Sequence, residues 1–110
     1  MQEKRPPNLV RVASLSDVPE GEALEVMVGD EPVALFNLGD GEICATHNIC
    51  THEHACLSDG WLEDGIIECP LHGGRFDVRT GRGLGPPIEE DLRTYAVKIV
   101  GDDVLLEVPD

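Results

Sequence analysis

Basic residues are scarce in this chain. Only 8 Lys and Arg stand against 22 Asp and Glu, a formal net charge of -14 over 110 residues. A protein that must neutralise nucleic-acid phosphates needs a basic face, so that class is excluded. Long apolar runs are missing as well. The amino terminus, Met1-Gln2-Glu3-Lys4-Arg5-Pro6-Pro7, is charged with no apolar stretch behind it. Neither a secretory signal nor a membrane anchor is read there, and a soluble, cytoplasmic protein is expected. No segment sustains a 3.6-residue periodicity, and there are no internal repeats or low-complexity linkers. The length gives one domain, 1–110, with a modest core and no room for a second catalytic domain.

Short apolar or alternating runs are plentiful. Leu9 to Ala13, Ala23 to Val28, Val33 to Leu38, Glu42 to Thr46, Ile66 to Cys69, Arg75 to Val78, Tyr95 to Val100 and Val104 to Val108 read as strands. Between them, Gly29-Asp30, Gly39-Asp40-Gly41, Asp64-Gly65, Thr80-Gly81 and Gly101-Asp102 supply the tight conformations that join antiparallel strands. One helical turn is expected at Ser16-Asp17-Val18-Pro19. The pattern predicts an all-β fold, a sandwich or a barrel.

Two clusters of metal-binding side chains, Cys50-Thr51-His52 and Cys69-Pro70-Leu71-His72, are separated by sixteen residues. Side chains at i and i+2 of an extended segment point the same way and stand about 6 to 7 Å apart. That separation is awkward for one small ion and suits a cluster with two metal atoms. A structural zinc site more often begins with two cysteines two to four residues apart, wrapped around one tetrahedral ion. Here each arm carries one thiolate and one imidazole. Zinc, or core cysteines beside unrelated surface histidines, are the competing readings.

The arms, read on as Cys69-Pro70-Leu71-His72-Gly73-Gly74-Arg75-Phe76-Asp77, resemble those of the soluble Rieske ferredoxins that serve bacterial aromatic-ring-hydroxylating dioxygenases. Ser58-Asp59-Gly60, the Thr80-Gly81 turn and the Pro86-Pro87 loop add weaker likeness. The resemblance implies a Rieske fold: a basal β unit built from the two ends of the chain, with a smaller cluster-binding unit, about residues 43 to 85, inserted in it. It implies one two-iron, two-sulfide cluster. Cys50 and Cys69 would hold one iron, and His52 and His72 the other, at an exposed tip.

The function implied is one-electron carriage, without substrate chemistry, from an NAD(P)H-dependent flavoprotein reductase to a terminal aromatic-ring-hydroxylating oxygenase. With His52 and His72 assigned, only His47 and His54 remain. The mononuclear iron site of the oxygenase itself cannot be assembled from those two. A small Rieske subunit of another reductase complex, such as nitrite reductase, and a structural zinc module are the alternatives.

The resemblance also carries finer expectations. Respiratory-type Rieske proteins join their ligand loops by a disulfide, but this chain has Ala55 and Leu71 at the two places, and Cys56 is displaced by one residue. A cross-loop disulfide is therefore not expected, and the loops must be held by hydrogen bonds and packing. Cys44 is expected to be a buried thiol. In high-potential members a serine and a tyrosine donate hydroxyl hydrogen bonds to the cluster and its sulfurs. This chain has Gly74 and Phe76 there, which implies a low potential. Gly73 and Gly74 would let backbone N–H groups approach the sulfurs, and Pro70, Pro86 and Pro87 would stiffen the surrounding loops. His54 is expected to be a solvated loop residue, His47 to bond locally, and Trp61 to pack beneath the cluster unit.

Charge is unevenly spread. Residues 43–85 hold six acids and three arginines, a balance of -3, and the remainder carries -11. A nearly neutral tip in an acidic field would draw basic patches on redox partners.

Overall fold

The run Val33-Ala34-Leu35-Phe36 organises the molecule. Successive side chains of a strand point to opposite faces, and all four of these are fully buried, so their strand is covered on both sides. Val33 and Leu35 join one core with Val18, Ile43, Val104 and Leu106. Ala34 and Phe36 join a second with Cys50, Leu57, Ile67, Cys69, Phe76 and Val78.

The structure is a computed structural model that describes residues 8–51, 55–71, 73–86 and 88–108. Among these, the strands are β1 (Asn8–Ser14), β2 (Ala23–Val28), β3 (Glu31–Gly39), β4 (Glu42–His47), β5 (Trp61–Glu63), β6 (Ile66–Glu68), β7 (Arg75–Asp77), β8 (Thr94–Tyr95), β9 (Val97–Val100) and β10 (Asp103–Val108). They form three sheets, in the orders β1-β10-β9, β2-β3-β4-β8 and β5-β6-β7. Every strand pairing is antiparallel. The all-β expectation holds, and no described helix is long and apolar enough to cross a membrane.

The turns follow the glycine code. Asp64 and Gly65, at φ 53° and 78°, make the two-residue connection from β5 to β6 that matches the right-handed twist of a hairpin. Gly39, Asp40 and Gly41 all take positive φ between β3 and β4, where the register slips after Asn37. The Asn37 side chain fixes that corner, donating to Val18 C=O (2.7 Å) and accepting from Gly39 N–H (2.8 Å).

β4 pairs directly with β8 through Ala45↔Tyr95 and Thr46↔Thr94. The chain leaves the four-stranded sheet after β4, builds β5-β6-β7 against the far face of β3, and returns at β8. On the surface, Arg79 Nε and Nη2 donate to Glu42 Oε2 and Oε1 (2.9 and 3.1 Å), tying this excursion to the start of β4. That contact raises the Arg79 pKa and lowers that of Glu42.

Three local expectations need correction. The run Tyr95 to Val100 is not one strand: it breaks at Ala96, with β8 in the four-stranded sheet and β9 in the β1-β10-β9 sheet. Alternation continues through the break because both halves have one buried face, so the pattern does not reveal the change of partner. Trp61–Glu63 is a strand that was not expected; three residues are too few to display a period. The helical turn is a 3-10 turn at Leu15–Asp17, beginning one residue early, where Ser14 N–H donates to Asp17 Oδ2 (3.0 Å).

Candidate metal centre

The first arm grows out of the end of β4. Asn48 is fully buried there and makes a latch. Its Nδ2 donates to Glu25 Oε2 (2.8 Å) and Ser58 Oγ (3.0 Å), while its Oδ1 accepts from Ser58 N–H (2.8 Å). Its backbone N–H donates to Pro32 C=O (2.9 Å) and its C=O accepts from Leu57 N–H (2.7 Å). Ile49 then bridges Cys56, and Cys50 N–H donates to Ala55 C=O (2.9 Å). These bonds draw the chain at Ile49 and Cys50 together with the chain at Ala55 and Cys56. Cys50 lies at the pinch, with 4% of its surface exposed.

The second arm is the loop between β6 and β7. Those strands pair through Glu68↔Arg75, and one step further Cys69 N–H donates to Gly74 C=O (2.7 Å). Cys69 therefore also stands at a loop base, and it is fully buried. Gly73 has φ 69°, a conformation that glycine adopts without steric cost. The two cysteines share one hydrophobic core with Phe36, Leu57, Ile67 and Phe76. The sequence separates these arms, and the fold brings their cysteines into that core.

A third segment lies against both arms. Thr51 Oγ1 donates to Glu90 C=O (2.8 Å). A Cβ on Gly74 would lie 2.5 Å from Ile88 Cδ1, so Ile88 occupies the space that glycine leaves open. Gly83 leaves room for the same side chain.

His52, His54, His72 and Pro87 lie outside the described residues. Among the described residues no three His, Cys, Asp or Glu side chains group to hold a metal ion. The cysteine half of the expected ligand set is what can be tested against the cofactor, and it fits. Two thiols in one dry core, each at the pinch of a loop, give a buried face on which thiolate sulfurs can hold a metal atom. Such thiolates need a compensating cation when withdrawn from water. Cys50 and Cys69 supply two thiolate donors, and the imidazoles expected from His52 and His72 would complete a set of two sulfurs and two nitrogens. That chemistry matches a two-iron Rieske centre.

Several other candidates stand elsewhere. His47 Nδ1 lies 3.6 Å from Glu31 Oε1 on the four-stranded sheet, consistent with a local role. Cys44 is half-buried on β4, and burial pushes its thiol pKa up, with Glu42 adding to the effect. Cys56 is a half-buried free thiol raised by burial and then by Glu25 and Asp59, and no disulfide leaves it for the second arm. Trp61 contradicts expectation: it is 63% exposed on the edge strand β5, because Leu62 is the residue of that strand turned to the core.

Residue-type patterns did not single out Asn48, Thr51, Ile88 or Glu90. The one available signal was an asparagine two residues before Cys50, at the end of the β4 run, since a polar side chain drawn into the core there must find partners.

A family model described as "Rieske [2Fe-2S] domain" matches residues 8–96. The ferredoxin component of the naphthalene 1,2-dioxygenase/salicylate 5-hydroxylase systems of Ralstonia sp is 48% identical over 101 residues, 92% of this chain and 96% of that protein. Among solved structures, the Sphingomonas yanoikuyae B1 ferredoxin superposes with a TM-score of 0.86 at 38% identity, covering 93% of this chain and all of the other. A chain from a complex of reduced oxygenase and oxidized ferredoxin in carbazole 1,9a-dioxygenase gives 0.83 at 36% identity, covering 90% and 92%.

Proposed function

The chain belongs to the Rieske [2Fe-2S] domain family, and from that premise we propose that it is the ferredoxin component of an aromatic-ring-hydroxylating dioxygenase system. It takes one electron at a time from an NAD(P)H-dependent flavoprotein reductase and delivers it to the terminal oxygenase. It acts in the cytoplasm and performs no substrate chemistry. The observation that carries this reading is the burial of Cys50 and Cys69 in one core at the bases of two separate loops.

In this reading Cys50, His52, Cys69 and His72 are the ligands, presented by an inserted unit of about residues 43 to 85 within one domain. The bound cluster supplies reversible one-electron chemistry. The protein supplies the rest. Cys50 and Cys69 would hold iron through their thiolates in apolar surroundings, where Phe76, Ile67 and Leu57 exclude water. His52 and His72 would complete the coordination with two imidazoles. The hydrogen bonds from Cys50 N–H to Ala55 C=O and from Cys69 N–H to Gly74 C=O would hold the backbone of both thiolates in place.

Iron and acid-labile sulfide analysis of the purified protein tests this. Two irons and two sulfides per chain, a red-brown colour, and bleaching in His52→Ala and His72→Ala are expected. A colourless protein containing one zinc per chain refutes it.

A further inference from the structure

Each contact of the third segment stops one step short of a proposed ligand. Glu90 C=O accepts from Thr51, the neighbour of Cys50 (2.8 Å). Ile88 fills the space over Gly74, whose carbonyl accepts the Cys69 N–H (2.7 Å). The segment is itself anchored away from both arms: Leu92 is buried in the core and its N–H donates to Gly81 C=O (2.7 Å), while Asp91 Oδ1 accepts from Gly83 N–H (2.9 Å). Gly81 has no side chain to keep the Leu92 carbonyl away. The two arms thus meet a common fixed body, and Cys56 forms no disulfide that would join them instead.

We propose that residues 88–92 form a clasp that couples the two ligand arms, with Thr51 and Ile88 as positioning residues that set how Cys50 and Cys69 are presented to iron. The proposal rests on the reading that these cysteines are cluster ligands. Its chemistry is mechanical. The Thr51 hydroxyl restrains the first arm, a single methyl restrains the second, and the separation of the thiolates follows from both.

The test uses the intact iron-loaded protein and four variants. Thr51→Val removes the hydroxyl donor at nearly constant volume, and Thr51→Ser restores it. Ile88→Val removes the Cδ1 atom that fills the space over Gly74. Gly74→Ala combined with Ile88→Val moves that methyl from the clasp to the arm. The readouts are the electron paramagnetic resonance spectrum of the reduced state and the rate of iron release to a chelator. Thr51→Val and Ile88→Val should each broaden the spectrum and speed release about 2- to 10-fold, the range set by losing one neutral hydrogen bond in the first and one packed methyl group in the second. Thr51→Ser and the methyl swap should return towards wild type.

Wild-type spectra and release rates in both Thr51→Val and Ile88→Val would overturn the clasp. So would a failure of the serine and swap variants to recover while their far-ultraviolet circular dichroism stays native. Wild-type protein without two irons and two sulfides would instead overturn the cluster reading itself.

Discussion

Replacing Asn48 by Asp changes one atom type and inverts the latch beneath the first arm. The amide Nδ2 that donates to Glu25 Oε2 and Ser58 Oγ becomes an oxygen, while the acceptor for Ser58 N–H is kept. A hydrogen bond to a charged group contributes about 1.5 to 3 kcal/mol and a neutral one about 0.5 to 1.5. The Ser58 hydroxyl can turn and donate to the new oxygen, so the bond to Glu25 is the one lost, at a cost of about 1.5 to 3 kcal/mol, and a second carboxylate facing Glu25 in a fully buried position adds to it. Since about 1 kcal/mol moves the melting point of a domain this size by roughly 4 to 8 °C, a fall of at least about 6 °C is expected near neutral pH. Cluster loss makes unfolding irreversible, so variants are compared at one scan rate.

The pH dependence supplies the sharper test of the same substitution. Burial and Glu25 raise the introduced carboxyl's folded-state pKa above its unfolded value of about 3.9. The unfolded chain then releases its proton first, so the defect relative to wild type is small below that value and deepens as pH rises towards the folded-state pKa. Asn48→Leu loses all three side-chain bonds, including the one from Ser58 N–H, but adds no titrating group, so its defect should not change between about pH 5.5 and 8.5, a span over which the aspartate variant, with its raised pKa, should worsen. A melting point for Asn48→Asp within about 2 °C of wild type across that span, well inside the shift expected from 1 kcal/mol, would refute the latch.

Two further outcomes follow from the site and the charge. Phe76 is fully buried in the core that holds both cysteines, and Phe76→Tyr introduces a hydroxyl donor into that core. Protein-film voltammetry should show a low wild-type potential and a rise of at most about 60 to 130 mV, the equivalent of one hydrogen bond to a charged group for a one-electron couple. A wild-type value above about +100 mV, high in the Rieske range, or no rise would contradict this account. Gly74→Ser is the less clean version, since its Cβ would meet Ile88 Cδ1 at 2.5 Å. The net charge of -14 should make reduction by the flavoprotein slow as salt increases from about 0.01 to 0.3 M, where screening shortens from about 30 Å to below 10 Å. A flat or rising rate would exclude electrostatic steering.

The frame of the fold was legible where chemistry is local. Ala23 to Val28 coincides with β2, and Asp64-Gly65 occupies the hairpin connection its type suggests. Sequence could not decide between partners. Ala96 interrupts an alternating run only because the strands on either side of it pair in different sheets. Trp61 misled for a related reason: its bulk suggests packing, yet alternation on a three-residue strand gives the inward position to Leu62. At the site, the ligand types and spacing marked Cys50 and Cys69. The groups that hold them were invisible because their partners are remote in sequence, Glu25 for Asn48 and Glu90 for Thr51.

The two cysteines outside the proposed ligand set, Cys44 and Cys56, share one kind of environment. Cys44 and Cys56 both have thiol pKa values raised by burial first and by nearby carboxylates second, Glu42 and Asp77 for one, Glu25 and Asp59 for the other. A thiol must lose its proton to bind metal or to attack a disulfide, so each additional acid nearby disfavours both reactions. Cys56 is the sharper case, since it lies opposite Ile49, only one bridge removed from Cys50. A thiolate there would compete for incoming iron at the mouth of the first arm. The carboxylate of Glu25 acts twice at this point: it accepts the bond from Asn48 that closes the arm, and it helps keep the neighbouring thiol protonated.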